Sequence, residues 1–264
     1  MRSDGCLHFS TLKTIARSPA HYRYAADHET EGTPAMNLGS AVHCMALEEG
    51  CRVVRFDGTR RGAEWKTFEA AHPDDTILTA SEWATAQGMA DSILACPRAV
   101  ELLTGAHEIP LAWEVGDRKC RGRVDVLHVV EPSAGGMAIV ELKTTSDANP
   151  PYFQRTAERL GYFAQIAWYM NGYDRDPEYR EAITASHGYV VAVESKPPYV
   201  VQTFELSAHA LDIGMRTWRL WFERLLVCEA SGQWPGYQET DALLDLPDDF
   251  GLELQIGDEL VEVA

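Results

Sequence analysis

What this sequence lacks narrows its reading first. No apolar run approaches the roughly 18 to 20 residues that a membrane-spanning helix requires. The N-terminus shows no basic segment followed by a greasy one, as a secretory leader would. Cysteines are few and scattered: Cys6, Cys44, Cys51, Cys96, Cys120 and Cys228 form no CxxC pair and no Cys/His spacing suited to a structural zinc. These absences lead us to expect a cytoplasmic protein with reduced thiols and no membrane partner. Positive charge is scarce as well, with 23 Lys and Arg against 40 Asp and Glu, a net charge of −17. That balance is wrong for a broad basic surface of the kind that usually meets nucleic-acid phosphates. Internal repeats and low-complexity tracts are also missing.

The charge deficit is uneven. From Gln238 to Ala264 there are nine acids (Glu239, Asp241, Asp245, Asp248, Asp249, Glu253, Asp258, Glu259, Glu262) and no Lys or Arg. Cations gather instead at Arg52, Arg55, Arg60, Arg61 and Lys66, and again at Arg118, Lys119, Arg121 and Arg123. A local positive surface is therefore compatible with an acidic protein. With 264 residues, 45% of them hydrophobic, the chain can bury a full core.

Periodicity orders the chain. Ser10 is a plausible cap for a first helix that Ser18-Pro19 interrupts, and a second helix runs from about Asn37 to Glu49. Val53 to Asp75 reads as a charged connection. Ser81 to Ala95 is helical, with a short helical piece continuing to Leu103. After Gly105 the period turns strand-like, over Glu108–Val115, Lys119–Val130 and Met137–Thr144. One long amphipathic helix is expected from Pro151 to Asn171, then strands over His187–Glu194 and Tyr199–Leu206, and a last helix over Ser207–Ser231. The tail from Gly251 is a hairpin candidate or an extended acidic segment. This order predicts an α/β (α+β) fold, a mixed β-sheet flanked by helices. Residues 1–237 form one domain, helical over 1–104 with the sheet core over 105–237, and 238–264 an acidic tail.

Chemistry concentrates in two strands. In Met137-Ala-Ile-Val-Glu-Leu-Lys-Thr144, alternation places Ile139, Glu141 and Lys143 on one face. A charge buried in so apolar a strand costs several kcal/mol unless it is paired or binds metal. A cross-strand ion pair would satisfy ExK alone. The preceding strand, Arg121-Gly-Arg-Val-Asp125-Val-Leu, adds one acid that hairpin pairing would bring to Glu141. Two clustered carboxylates call for a cation, and hard oxygen ligands suit Mg²⁺, with Mn²⁺ as a substitute; the carbonyl of Leu142 is a natural further ligand. Lys143 would orient or deprotonate a metal-bound water, the chemistry of phosphodiester hydrolysis. Tyr162, Gln165 and Tyr169, at i, i+3 and i+7, share a helix face. They suit either sheet packing or a role at the DNA backbone. His43, in the small-residue run Gly39-Ser-Ala-Val-His-Cys, reads as a core histidine or a ligand.

Several motifs occur in an order that resembles the exonuclease VIII (RecE-type) nuclease domains of the PD-(D/E)xK superfamily, and the wider lambda exonuclease and RecB nuclease group. They are Phe9-Ser-Thr-Leu-Lys-Thr-Ile-Ala-Arg-Ser-Pro19-Ala-His-Tyr, Gly39-Ser-Ala-Val-His43, Glu108 ahead of an aromatic strand, Arg123-Val-Asp125, Glu141-Leu-Lys143-Thr-Thr, Gln165-x-x-x-Tyr169 and Gly232-Gln-Trp-Pro-Gly-Tyr237. Val124 stands where the superfamily's name has proline. The resemblance spans roughly residues 7 to 237 and implies a restriction-endonuclease-like core. It implies that Asp125 and Glu141 ligate metals, His43 completes a second metal position, Glu108 sits beside the metals and Lys143 is catalytic. Gln165 and Tyr169 would contact substrate or organise the site. Arg121, Arg123, Thr144 and Tyr162 are the candidate DNA contacts. Some relatives hold an iron–sulfur cluster on three late cysteines; only Cys228 is late here, so none is expected.

The activity implied is Mg²⁺-dependent 5′→3′ digestion of linear double-stranded DNA ends in phage-type recombination. A RecT-like single-strand annealing protein would be the partner, and the assembly a homo-oligomer, with a ring placing cations around a channel. A PD-(D/E)xK endonuclease, a single-strand nuclease and a non-catalytic DNA-end-binding or partner-binding protein are the competing readings.

Overall fold

The structure, a computed structural model, describes residues 5–28, 32–47, 52–130, 136–237 and 240–243, and the backbone of two short strands beyond them. The chain opens with β1 (Leu7–His8), α1 (Phe9–Leu12), a 3-10 turn (Lys13–Ala16) and α2 (Pro19–Asp27). Ser18, rather than Ser10, is the effective cap here: its hydroxyl accepts the His21 N–H, and Pro19 begins a helix instead of merely ending one. Proline suits that first position because its missing N–H would have had no helical partner.

Next come α3 (Pro34–Leu47), β2 (Val53–Phe56), α4 (Gly62–Ala71), β3 (Thr76–Thr79), α5 (Ala80–Ala95) and α6 (Pro97–Leu102). The expected charged connection over 53–75 is thus a strand and a helix, and β2 pairs in parallel with β3. Four-residue strands are too short to show a period. Phe56 and Leu78 are nonetheless buried, and Trp65 and Phe68 of α4 pack on the Phe56 ring. The N-terminal 104 residues therefore carry strands as well as helices. Thr79 and Glu82 form a reciprocal capping box at the start of α5.

The central part contains β4 (Ala106–Val115), β5 (Arg118–Val130), β6 (Gly136–Thr145), α7 (Pro150–Leu160), α8 (Tyr162–Tyr173), β7 (Ala185–Glu194), β8 (Val201–Glu205) and α9 (Ala208–Ser231). The single long helix expected from 151 breaks at Gly161, whose φ of 73° ends α7 in a left-handed cap. The sheet runs β1-β5-β6-β7-β8 with β4 on the other edge of β5. It is mixed: β5–β6 and β7–β8 are antiparallel, β6–β7 and β1–β5 parallel. In the tail, β9 (Glu253–Ile256) and β10 (Glu259–Glu262) pair antiparallel, as the hairpin alternative expected. Among the described residues no helix is long and apolar enough to cross a membrane.

Helices cover both sheet faces. On one, Ile139 and Val190 meet Trp168, Tyr173, Trp218 and Leu225 of α8 and α9. On the other, Ala138, Val140, Leu142 and Val191 meet Val42, Met89 and Ile93 of α3 and α5. Cys96, Cys120 and Cys228 are reduced thiols, but Cys44 is disulfide-bonded, which corrects the expectation of reduced cysteines throughout.

One irregularity prepares the site. The β5–β6 ladder ends at Val126↔Val140, and the same edge of β5 meets β1 only at Cys120 and Arg121, so the sheet forks beside Asp125. Across β4, the ladder runs His107↔Val126 and then Ile109↔Val124, stepping over Glu108, which has a left-handed φ of 53°. Val124 joins the α8-side core while Val126, two residues on, joins the α3-side core. Face alternation therefore reverses at Asp125. Left-handed backbone is strained for a residue with a Cβ and concentrates at functional positions.

Candidate active site

Asp125 fills the fork. Its Oδ2 accepts the Leu142 N–H at 2.9 Å, a backbone donor that the interrupted ladder does not use. From the opposite layer α3 meets the strand at Gly39, where an added Cβ would make only ordinary contact with the Thr144 hydroxyl, at 3.6 Å. His43, one turn on, places Nε2 2.8 Å from the Leu142 carbonyl. A carbonyl only accepts, so Nε2 carries the proton and Nδ1, 3.6 Å from Asp125 Oδ1, presents its lone pair to the acids. Burial lowers the His43 pKa against the opposing pull of Asp125, which favours the neutral, ligating imidazole.

Glu108, turned by its backbone towards Asp125, completes a cluster in which one ligand atom each of His43, Glu108 and Asp125 lie within 4.8 Å of one another. Arg123 Nε pairs with Glu108 Oε2 at 2.7 Å.

Behind this group lies a buried network. Glu141 is 1% exposed, and its Oε2 accepts Lys143 Nζ at 2.6 Å and Gln165 Nε2 at 3.1 Å. The Gln165 amide also reaches the Tyr169 hydroxyl at 3.3 Å, so two of the three helix-face residues converge on the acid. The third, Tyr162, lies under the ammonium of Lys143, 5.4 Å from ring centroid to Nζ. Burial, reinforced by the charge of Asp125, raises the Glu141 pKa against the pull of Lys143. For Lys143 burial acts the other way, but the carboxylates of Glu141 and Asp125 outweigh it and hold the ammonium protonated. Burial and the Glu141 charge likewise keep Tyr169 a neutral phenol.

A cation fits this donor set. Glu141 Oε1 is buried and has no hydrogen-bond partner, although a buried carboxylate oxygen is expensive to leave bare. Carboxylate oxygens with a single imidazole match the preferences of Mg²⁺ or Mn²⁺ better than those of a soft metal. The Leu142 carbonyl, already accepting from His43, keeps a second lone pair for the role expected of it.

The site opens into a cleft of about 790 Å³ lined by His43, Glu108, Arg123, Asp125, Lys143, Thr144 and Tyr162, among others. Of the candidate DNA contacts, Arg121 is placed elsewhere: it lines a separate groove with Lys119, Arg175 and Arg180. The cluster Arg52 to Lys66 is largely neutralised, with Arg55 on Asp57 and Arg60 on Glu82, though Arg52 reaches the cleft. Lys13 was assigned no role from sequence, yet it is partly buried and its pKa is lowered by burial and by the charge of Lys143. The only sequence signal was its place in the Phe9–Tyr22 motif.

A forked mixed sheet with Asp, Glu-x-Lys and a facing Gln on α8 defines a domain of the PD-(D/E)xK nuclease class. The chain belongs to the family described as "PDDEXK-like domain of unknown function (DUF3799)", whose model matches residues 8–246. A crystal structure from Eubacterium rectale, of a protein described as "Putative exonuclease", superposes with a TM-score of 0.64 at 14% identity, covering 92% of this chain and 90% of that one. At that identity the likeness is one of fold. A structure of SSO0001 reaches a TM-score of 0.36 at 14% identity over 88% of this chain and 79% of that one, and carries no argument. No curated protein matches the chain.

Proposed function

We propose that this protein hydrolyses DNA phosphodiester bonds with a divalent cation, Mg²⁺ or Mn²⁺. Within that activity we assign it 5′→3′ exonucleolysis of linear duplex. The observation that carries hydrolysis is one cleft lined by the His43–Glu108–Asp125 cluster and Lys143, with the bare Glu141 oxygen buried beyond its wall on the carboxyl group that Lys143 holds. His43 through Nδ1, Glu108, Asp125 and Glu141 would hold the cation, with the Leu142 carbonyl as a further ligand. The bound ion supplies electrophilic assistance at the phosphate and acidifies a water.

The chain's own groups do the rest. Lys143, kept as an ammonium, neutralises a phosphate oxygen or orients the attacking water. Gln165 and Tyr169 fix the Glu141 carboxylate from α8 and act as positioning residues. Arg123 and Thr144 lie at the cleft wall, within reach of a bound backbone.

Duplex ends as substrate, 5′ polarity, a RecT-like annealing partner and a ring-forming homo-oligomer rest on the motif order that resembles the exonuclease VIII domains. The test is linear duplex labelled at the 5′ or 3′ end, incubated with Mg²⁺ beside covalently closed circles. Early release of the 5′ label with the circle spared is expected. Cleavage of the circle would replace the exonuclease with an endonuclease, and no Mg²⁺-dependent cleavage of either would remove the hydrolytic reading.

A further inference from the structure

The helices that cover the sheet stop short of one surface. On β4 and β5, burial alternates cleanly: Leu111, Trp113, Cys120 and Val124 are buried beneath α8, whereas Pro110, Ala112, Glu114, Lys119, Arg121 and Arg123 are exposed on the other face. None of those outer residues belongs to the core beneath α3 and α5, which takes β5 only from Val126. Lys119, Arg121 and Arg123 therefore form a straight row, every second residue of one strand, and the next position in the row is Asp125. Residues two apart on a strand are about 6.7 Å apart, close to the distance between successive phosphates on a nucleic-acid strand. Small, uncharged Pro110 and Ala112 stand cross-strand from Arg123 and Arg121.

A second segment brings more positive charge to the same place. The Asp176 carboxylate accepts the Ala112 N–H at 2.6 Å, which pins the chain after α8 to the edge of β4. Arg175 and Arg180 of that segment then line a groove of about 610 Å³ together with Lys119 and Arg121. Acids are present too: Glu108 pairs with Arg123 at 2.7 Å, Glu114 is cross-strand from Lys119, and Asp174 lines the groove. The cations still outnumber them, in a chain whose net charge is −17.

We infer that the exposed face of β4 and β5 is a phosphate track, along which Arg123, Arg121 and Lys119, joined by Arg175 and Arg180, hold one strand of the nucleic acid as it runs to or from the Asp125 cleft. This rests on the nuclease reading for the identity of the ligand, but its contacts are purely electrostatic and do not require the metal.

The experiment separates the two. Binding of a short fluorescent duplex is measured by anisotropy in EDTA, where no cleavage occurs, across a range of salt. The proteins are the parent, Lys119→Glu/Arg121→Glu, the milder Lys119→Gln/Arg121→Gln, and a control of equal charge change on α9, Arg216→Glu/Arg224→Glu. The track predicts at least tenfold weaker binding for the Glu pair and a smaller loss for the Gln pair. It also predicts a salt slope reduced by about 2, since each phosphate contact contributes about 0.9, with the control unchanged. Unchanged affinity and slope in both pairs, an equal loss in the α9 control, or a parent that binds no duplex in EDTA would each overturn it. Failure of the parent to cleave DNA with Mg²⁺ bears on the nuclease assignment alone and leaves the binding comparison intact.

Discussion

The site has two halves that differ in burial, and the difference assigns their work. His43, Glu108 and Asp125 face the cleft, partly exposed, with atoms close enough to share a cation. Glu141, Gln165 and Tyr169 lie behind them, out of the cleft, tied to Lys143 by hydrogen bonds. The first half comes from an N-terminal helix and the β4–β5 pair, the second from β6 and α8. The open half offers ligands that exchange with solvent, whereas the buried half offers one, the bare Glu141 oxygen, in a network that tunes its charge where the dielectric is low. Lys143 bridges them, bonded to the buried acid yet reaching the cleft wall.

Substitutions break this comparison in a graded way. The largest effect is expected from Lys143→Ala, which should lower the cleavage rate by about 10²- to 10⁴-fold while calorimetry still detects metal binding. A rate equal to the parent's would remove Lys143 from the chemistry. Asp125→Asn should do the reverse and abolish binding. The parent is expected to gain about 2.7 kcal/mol of stability at a hundredfold excess of Mg²⁺ over its Kd. The variant should gain none in the same thermal melt, and an undiminished gain would move the metal away from Asp125.

A smaller effect sharpens the buried half. Because the folded Glu141 pKa is raised above its ordinary 4.5 to about 8, the folded protein keeps a proton that the unfolded chain has released. Its contribution is therefore full below 4.5 and is lost as pH rises towards about 8. Denaturant titrations of metal-free protein should show stability declining across that window, and Glu141→Gln should flatten the decline; identical slopes would contradict the assignment. The smallest change is Tyr169→Phe, which deletes one contact to Gln165 and should cost about 0.5–1.5 kcal/mol with metal binding retained. A loss of binding comparable to that of Asp125→Asn would place Tyr169 in the ligand half.

Legibility in the sequence followed the length of each element and the range of each contact. The strands β4 to β7 and the helices α5 and α9 are long enough for their apolar period to rise above noise, and they fall where that period placed them. The strands β2 and β3 have four residues each and vanished into a charged stretch. Gly161 was invisible as a break because α7 and α8 carry one continuous apolar pattern across it. Arg121 and Arg123 share a strand face, as the two-residue period placed them, but only tertiary packing decides that Arg123 lines the cleft while Arg121 lines the neighbouring groove.

The sequence alone determined which side chains share a local surface: Glu141 with Lys143 by the two-residue period of a strand, Gln165 with Tyr169 by the turn of a helix. Tertiary structure alone decided that these surfaces face each other and that His43 arrives 99 residues away from the Leu142 carbonyl it contacts. It also decided that Glu108 and Asp125 turn out of their ladder at the fork. The reason is that periodicity is a property of neighbours along the chain, while convergence depends on register and layer packing. These are set by the burial of distant apolar residues, which no local pattern encodes.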